Sequence, residues 1–242
     1  MGEQPPAPGH DAGEFGTIAI THRVCPLCER DNGSQPANRY SNGFWEVKTC
    51  ARCGFVYIEK APDYEELFAN MTWERTTKIE EQRRASIRPV SYKLSKMTRA
   101  RMRILPRKKM HRLIEAYARP GNVVDLGCNN GWAMELLPDR FVPFGVEIST
   151  EPARAADEFF GTRGGRAINA PSLEGLKQFP DGFFSAASLR SYLEHEMKPV
   201  AVLGELHRTL EPGGIAIVKV PNFGSLNRMV TGRKWCGFRY PD

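Results

Sequence analysis

The feature that constrains this chain most is residues 122–132, which combine a buried strand, a glycine turn and the start of a helix. Val123, Val124 and Leu126 supply the apolar run that is typical of a central parallel strand. Gly127 and Gly131 allow the backbone to turn sharply and to pass close to a ligand. A helix that begins at such a turn directs free N–H groups towards the crevice at the carboxyl ends of the strands, where open α/β sheets bind ligands.

A second predicted strand, residues 141–148, carries Glu147 at its end, twenty positions after Gly127. A carboxylate at this offset can accept hydrogen bonds from both hydroxyls of a ribose. Asn129 stands where the dinucleotide-binding pattern needs its second glycine, and the turn also lacks the Gly-Lys-Ser/Thr of a phosphate-binding loop. The pattern therefore favours a nucleoside without a pyrophosphate.

The motif Asp125-Leu-Gly127-Cys-Asn-Asn-Gly131, taken with Glu147, resembles the class I S-adenosylmethionine (SAM)-dependent methyltransferases. Leu193-Glu194-His195, followed by a helix that ends in Leu-x-Pro-Gly-Gly and by an apolar strand, is also similar to that family. The resemblance implies an α/β fold with a Rossmann-like, doubly wound and mostly parallel sheet that binds SAM. It implies cofactor contacts from Asp125, Gly127, Cys128, Asn129, Asn130, Gly131, Glu147, Ile148, Ser172 and Leu189.

Two departures from the family pattern affect these expectations. An acidic residue that often follows the third strand and contacts the adenine amine is missing, so adenine recognition falls to backbone groups or to Ser172. Ser185 stands where the family commonly has an aspartate in the fourth strand.

The remaining pattern predicts three further strands with helices between them. We expect strands within residues 166–170, 179–189 and 215–221, and helices over 149–160 and 200–210. Too few residues follow for the C-terminal hairpin that completes the family's usual seven strands, so we expect about five strands. The resulting sheet edge is either exposed or covered by the basic helices or by a second chain in a homodimer.

Four cysteines near the start of the chain have the spacing of a zinc site. Cys25 and Cys28 form one Cys-x-x-Cys pair, and Cys50 and Cys53 form a second. The intervening loop of about 21 residues is slightly longer than usual. Since a redox role needs only one pair, and since the four thiolates leave no ligand position for His22, the pattern favours a structural zinc ion (Zn²⁺) with no open coordination position.

A zinc ribbon of this kind, followed by Pro62-Asp-Tyr64-Glu-Glu-Leu67, resembles the start of certain bacterial methyltransferases. Members of that group often modify sugars or other secondary metabolites. The resulting domain prediction is a disordered tail over residues 1–20, a ribbon over 21–62, a basic helical linker or lid over 63–119 and a SAM-binding domain over 120–242.

The net charge of +6 is concentrated in the predicted linker, where residues 75–119 hold fifteen Lys and Arg residues against three acids. This asymmetry favours an anionic partner, and nucleic acid is one such partner. The alternative is a solvated helical face. No apolar run is long enough to span a membrane and no secretory signal is evident, so we expect a cytoplasmic protein with no membrane partner.

The sulfonium of SAM makes its methyl group electrophilic, so the protein mainly has to align donor and acceptor. A hydroxyl or carbon-acid acceptor also needs a base, for which His195, beside Glu194, is the candidate. The alternative is that His195 caps a helix or positions Glu194. Cys128 invites a nucleophile interpretation, but a small residue that fills the turn is favoured.

The main functional hypothesis is an enzyme that methylates an oxygen or carbon atom of a small-molecule acceptor, such as a sugar or a carrier-linked metabolite. A second hypothesis is RNA methylation, in which the basic helices grip phosphates. The third is a non-catalytic binding protein with a vestigial SAM pocket.

Overall fold

The computed structural model describes residues 20–41, 45–62, 109–235 and 237–238. The predicted tail up to residue 19 and the predicted basic helices over 63–108 lie outside these residues.

The N-terminal unit consists of two small antiparallel sheets of two strands each. One pairs β1 with β4, and the other pairs β2 with β3. The four strands are β1 (Ile20–His22), β2 (Val47–Thr49), β3 (Val56–Ile58) and β4 (Lys60–Pro62).

A five-stranded sheet forms the centre of the larger unit, in the order β7-β6-β5-β8-β9, and all neighbouring pairs are parallel. This confirms the predicted doubly wound sheet. The strand order reverses at β5, so the crevice outside the carboxyl ends of the central strands is the expected ligand site. The strands are β5 (Gly121–Leu126), β6 (Phe141–Glu147), β7 (Arg166–Asn169), β8 (Phe184–Arg190) and β9 (Leu210–Lys219).

Helices cover both faces of this sheet. Because successive strand residues point to opposite faces, Val123 and Val124 belong to two different core clusters. Val124 packs with Phe184 and Leu206, and Val123 packs with Phe160. The helices are α1 (Met110–Tyr117), α2 (Thr150–Gly161), α3 (Ser172–Leu176), α4 (Pro199–Thr209) and α5 (Leu226–Thr231), with 3-10 turns at Trp132–Met134, Leu193–His195 and Gly232–Lys234. No helix among the described residues has the length and apolar character needed to cross a membrane.

The predicted helix after the glycine turn is wrong. Trp132–Met134 form one 3-10 turn, and the chain re-enters the sheet at Phe141. The connection has to return along the length of β5, which is about 20 Å for six residues. Residues 132–140, the nine that follow the glycine turn, would reach only about 13.5 Å as a helix, so this part of the connection stays more extended than a helix.

The last strand also differs from the prediction, because β9 starts at Leu210, where the sequence pattern indicates the end of a helix. Phe184 pairs with Leu210, whereas Ala186 pairs with Ile215. The intervening Pro-Gly-Gly segment is therefore a bulge in the strand. Within the described part, β9 is an edge of the sheet, and its covering by a second chain stays a prediction.

The ribbon contacts the segment that follows β9. The Tyr40 ring packs against Phe223 and Phe238, with centroids 5.8 and 5.0 Å away. The Arg228 guanidinium lies 4.1 Å from the Phe223 centroid and donates a hydrogen bond to the Tyr40 hydroxyl. These four side chains, which we call the aromatic box, join residues 188 positions apart in sequence.

Candidate functional site

A cavity of about 510 Å³ opens at the carboxyl ends of the sheet strands. Its size is within the range of small-molecule and cofactor sites. Five of the predicted cofactor residues line it, and they come from the ends of β5 and β6 and from the start of α3. They are Gly127, Asn129, Glu147, Ile148 and Ser172.

Glu147 is held at the cavity wall by two backbone groups. The Asn129 N–H donates to one carboxylate oxygen and the Ser149 N–H donates to the other, each at 2.9 Å. Asn129 accommodates this arrangement with a φ of 49°, a left-handed conformation that asparagine tolerates better than most residues. A carboxylate has about four acceptor positions, so each oxygen can still accept a hydrogen bond from a ligand.

The two glycines of the turn have different roles. At Gly127, where φ is 68°, a Cβ would lie 2.8 Å from the Tyr192 ring, which lines the cavity. At Gly131, where φ is 80°, a Cβ would lie 2.8 Å from the Phe160 ring in the core. Gly127 therefore forms the cavity floor, whereas Gly131 allows the turn to pack on α2.

Other predicted cofactor residues lie outside the cavity wall. Asp125, Cys128 and Leu189 are buried beneath it, with 3%, 2% and 0% of their surface exposed, and Asn130 is exposed beside it. Cys128 packs so closely on β6 that a Cβ at Gly145 would lie 2.5 Å from its Sγ. Burial raises the pKa of the Cys128 thiol well above its usual range, which favours the packing role over the nucleophile.

Burial raises the pKa of Asp125 to about 7, while the Ser188 hydroxyl and the Arg190 charge act in the opposite direction. A carboxyl whose pKa is higher in the folded state than its usual 3.8 stabilises the fold at low pH, and this stabilisation is lost as the pH rises through 7.

We therefore expect Asp125→Asn to gain stability relative to the unmodified protein as the pH rises. The gain between pH 5 and pH 8 should be about 2–3 kcal/mol in the free energy of unfolding. Urea unfolding at four pH values measures it. The exposed Asp139 provides the control, since Asp139→Asn should leave the curve parallel to that of the parent. Parallel curves for Asp125→Asn would contradict the elevated pKa.

Only one of the two predicted catalytic residues, His195, lines the cavity. His195 belongs to the 3-10 turn Leu193–His195 and lines the cavity. Glu194 is exposed and is not among the lining residues. His195 is therefore placed where a base could reach an acceptor, and its catalytic role stays a prediction.

Tyr192 and Glu196 line the cavity, although the sequence pattern did not predict them as site residues. The Tyr192 hydroxyl donates to the Glu196 carboxylate, which also accepts the Met197 N–H at 3.1 Å and the Lys198 N–H at 3.3 Å. Burial, followed by the Glu196 charge, raises the pKa of Tyr192 well above its usual range. Tyr192 is thus a protonated donor that fixes the loop and not a base.

Three further residues that line the cavity were also not predicted from the sequence. The Arg190 guanidinium lies 4.0 Å from the centroid of the Trp132 ring, and Lys219 lies at the end of the neighbouring strand. Arg190 and Lys219 are each the last residue of their strand, and this position at the carboxyl end of the sheet could have indicated them as site residues. Trp132 is 52% exposed directly after the glycine turn, which is unusual for so large an apolar side chain.

The four ribbon cysteines form one compact cluster. All four Sγ atoms lie within 4.8 Å of one another, with Cys25 and Cys53 3.6 Å apart and Cys28 and Cys50 3.5 Å apart. A tetrahedral zinc ion with Zn–S bonds of about 2.3 Å needs sulfur separations of about 3.8 Å. Among the described residues the cluster contains no histidine, so the four thiols fit a structural zinc ion without His22.

Comparisons with known proteins match parts of this chain. A family model described as a methyltransferase domain matches residues 97–241. An uncharacterized 37.1 kDa protein in transposon TN4556 of Streptomyces fradiae is 30% identical over 116 residues, which cover 45% of this chain and 33% of that protein. The chain thus spans a third of the length of that curated relative.

Solved structures of low similarity also match. A SAM-dependent methyltransferase from Archaeoglobus fulgidus is 20% identical with a TM-score of 0.41, and the match covers 56% of this chain and 57% of that one. The PH0226 protein from Pyrococcus horikoshii is 28% identical with a TM-score of 0.38, and the match covers 44% and 52%.

Proposed function

The chain belongs to the methyltransferase-domain family, and on that premise we propose that it transfers a methyl group from SAM to a small-molecule acceptor. The observation that carries the proposal is the Glu147 carboxylate. It is fixed at the cavity wall by the N–H groups of Asn129 and Ser149, at the end of the strand next to the glycine turn.

The residues of the cavity fit the parts of SAM. Glu147 would accept the ribose hydroxyls, and Ile148 and Ser172 would border the adenine. The backbone of Gly127, which lines the cavity, would lie beside the methionine portion. When bound, SAM supplies an electrophilic methyl group.

The protein would contribute alignment, exclusion of water and, for a hydroxyl or carbon acid, a base. Alignment of donor and acceptor can supply about 7–11 kcal/mol of the barrier. His195, which lines the same cavity, is the residue that we propose as the acceptor of the proton. We assign no catalytic contact to Glu194, because it lies outside the lining.

The acceptor that we propose is a sugar or a carrier-linked metabolite, modified on oxygen or carbon. The ribbon's resemblance to that of methyltransferases acting on such compounds supports this choice. The cavity with its positioned carboxylate favours an active enzyme over a vestigial pocket. RNA methylation depends on basic helices that lie outside the described residues, so we rank it second.

Calorimetry with S-adenosylhomocysteine (SAH), the demethylated product, tests the proposal. We expect binding of one SAH per chain, and a loss of affinity of about tenfold in Gly127→Ala. The added Cβ would push the Tyr192 ring, and alanine tolerates a φ of 68° poorly.

The matched control is Gly204→Ala in α4, where the added Cβ meets no atom within 4 Å. Its SAH affinity should stay within twofold, and its stability should rise by about 0.5–1 kcal/mol. A parent protein that releases no heat with SAH and shows no thermal shift would refute the SAM-dependent activity.

A further inference from the structure

We propose that the methyl acceptor carries an anionic group, a phosphate or a carboxylate, which binds between Arg190 and Lys219. This inference rests on the proposed function and specifies the acceptor class for the same cavity.

The topology of the sheet brings the two cations together. Arg190 ends β8, Lys219 ends β9, and the two residues are partners in the parallel register. Neighbouring strands are about 4.8 Å apart. The Ser191 N–H donates to the Lys219 carbonyl at 2.7 Å, which holds the two strand ends in this arrangement. Both side chains line the cavity.

Like charges placed side by side repel each other unless an anion lies between them. Within the described part of the chain, neither Arg190 nor Lys219 forms an ion pair. Arg190 instead lies over the Trp132 ring, and this cation–π contact restrains its guanidinium. A guanidinium oriented in this way presents paired donors suited to a carboxylate or a phosphate.

Among the described residues, none of the three acids that line the cavity, Glu147, Glu174 and Glu196, forms an ion pair with Arg190 or Lys219. Glu147 is held by the backbone N–H groups of the opposite half of the crevice, and Glu196 accepts the Tyr192 hydroxyl. Asp125 is close enough to interact with Arg190, but its pKa of about 7 leaves it only partly charged at neutral pH. A ligand is therefore the remaining source of negative charge.

The cofactor alone does not supply that charge. SAM carries a sulfonium, an ammonium and one carboxylate, so its net charge is positive. One cation satisfies the single carboxylate, whereas the cavity wall holds Arg190, Lys198 and Lys219. A second anion, brought by the acceptor, would balance a cationic cofactor bound beside cationic side chains.

The experiment uses the full chain saturated with SAH and titrated in a calorimeter at constant ionic strength. Sodium pyrophosphate represents phosphates and sodium citrate represents carboxylates. We expect saturable binding of at least one of the two probes, and the tighter probe identifies the anionic group. Lys219→Gln and Arg190→Gln should each weaken that binding tenfold or more. The control Lys177→Gln removes an exposed lysine outside the cavity and should stay within twofold.

Several results would overturn the inference. They are the absence of binding by either probe, an equal loss in Lys219→Gln and Lys177→Gln, and displacement of SAH by the anion. The last result would assign the cations to the cofactor's own carboxylate. If SAH itself does not bind, the proposed function fails, and titration of the ligand-free protein still decides whether the two cations hold an anion.

Discussion

Replacement of Glu147 by glutamine is expected to weaken SAH binding by about 100-fold. Both carboxylate oxygens now accept backbone N–H groups, from Asn129 and Ser149. In glutamine one oxygen becomes an NH₂ group, which would face one of these donors and could no longer accept a ribose hydroxyl. Loss of one or two charged hydrogen bonds, each contributing about 1.5–3 kcal/mol, corresponds to roughly this factor.

Calorimetry of the variant with SAH measures the effect, and thermal unfolding without ligand shows whether the fold persists. Glu135→Gln is the matched control, because Glu135 is exposed and lies outside the cavity lining. Its SAH affinity should equal that of the parent. An unchanged affinity in a folded Glu147→Gln protein would show that the ribose is held elsewhere, and the assignment of the cavity would then be wrong.

Replacement of Cys50 by serine is expected to abolish stoichiometric zinc binding and to unfold the ribbon. Cys50 is 2% exposed, its Sγ accepts the Arg52 N–H at 3.4 Å, and it belongs to the small ribbon core with Tyr57. A structural zinc ion contributes an apparent 10–16 kcal/mol of binding free energy in zinc-finger peptides, which a core of this size cannot replace. Metal analysis of the purified protein and near-ultraviolet circular dichroism measure the two effects.

Cys128→Ala is the control for the zinc experiment, because Cys128 is buried outside the cluster. This variant should keep one zinc ion per chain. A parent protein that contains no zinc, or a Cys50→Ser protein that keeps it, would contradict the structural metal site.

The sequence pattern predicted those parts of the molecule that depend on local spacing. Glu147 was identified because the end of one strand and the end of the next meet at the same edge of a parallel sheet. The cysteine cluster was identified because two Cys-x-x-Cys pairs suffice to define a tetrahedron.

The sequence pattern did not predict which residues of the glycine turn line the cavity and which are buried. Cys128 is buried while its neighbour Asn129 lines the cavity, and this alternation depends on the left-handed backbone at Gly127 and Asn129. Side-chain direction in a tight turn follows from φ and ψ values, which a residue pattern does not state.

The sequence pattern also did not predict the register in which the strands pair. Arg190 and Lys219 are 29 positions apart, and only the pairing of β8 with β9 makes them neighbours. The contact between Tyr192 and Gly127 likewise joins two loops that no local pattern connects.

Through the aromatic box, the ribbon contacts residues that follow the last strand of the large sheet. Tyr40 belongs to the ribbon, whereas its partners Phe223, Arg228 and Phe238 follow the final strand. That strand ends at Lys219, four residues before Phe223. We therefore expect zinc loss to weaken the packing of this segment on the ribbon and to loosen the proposed anion site at Lys219, so that zinc binding and acceptor binding would be thermodynamically coupled.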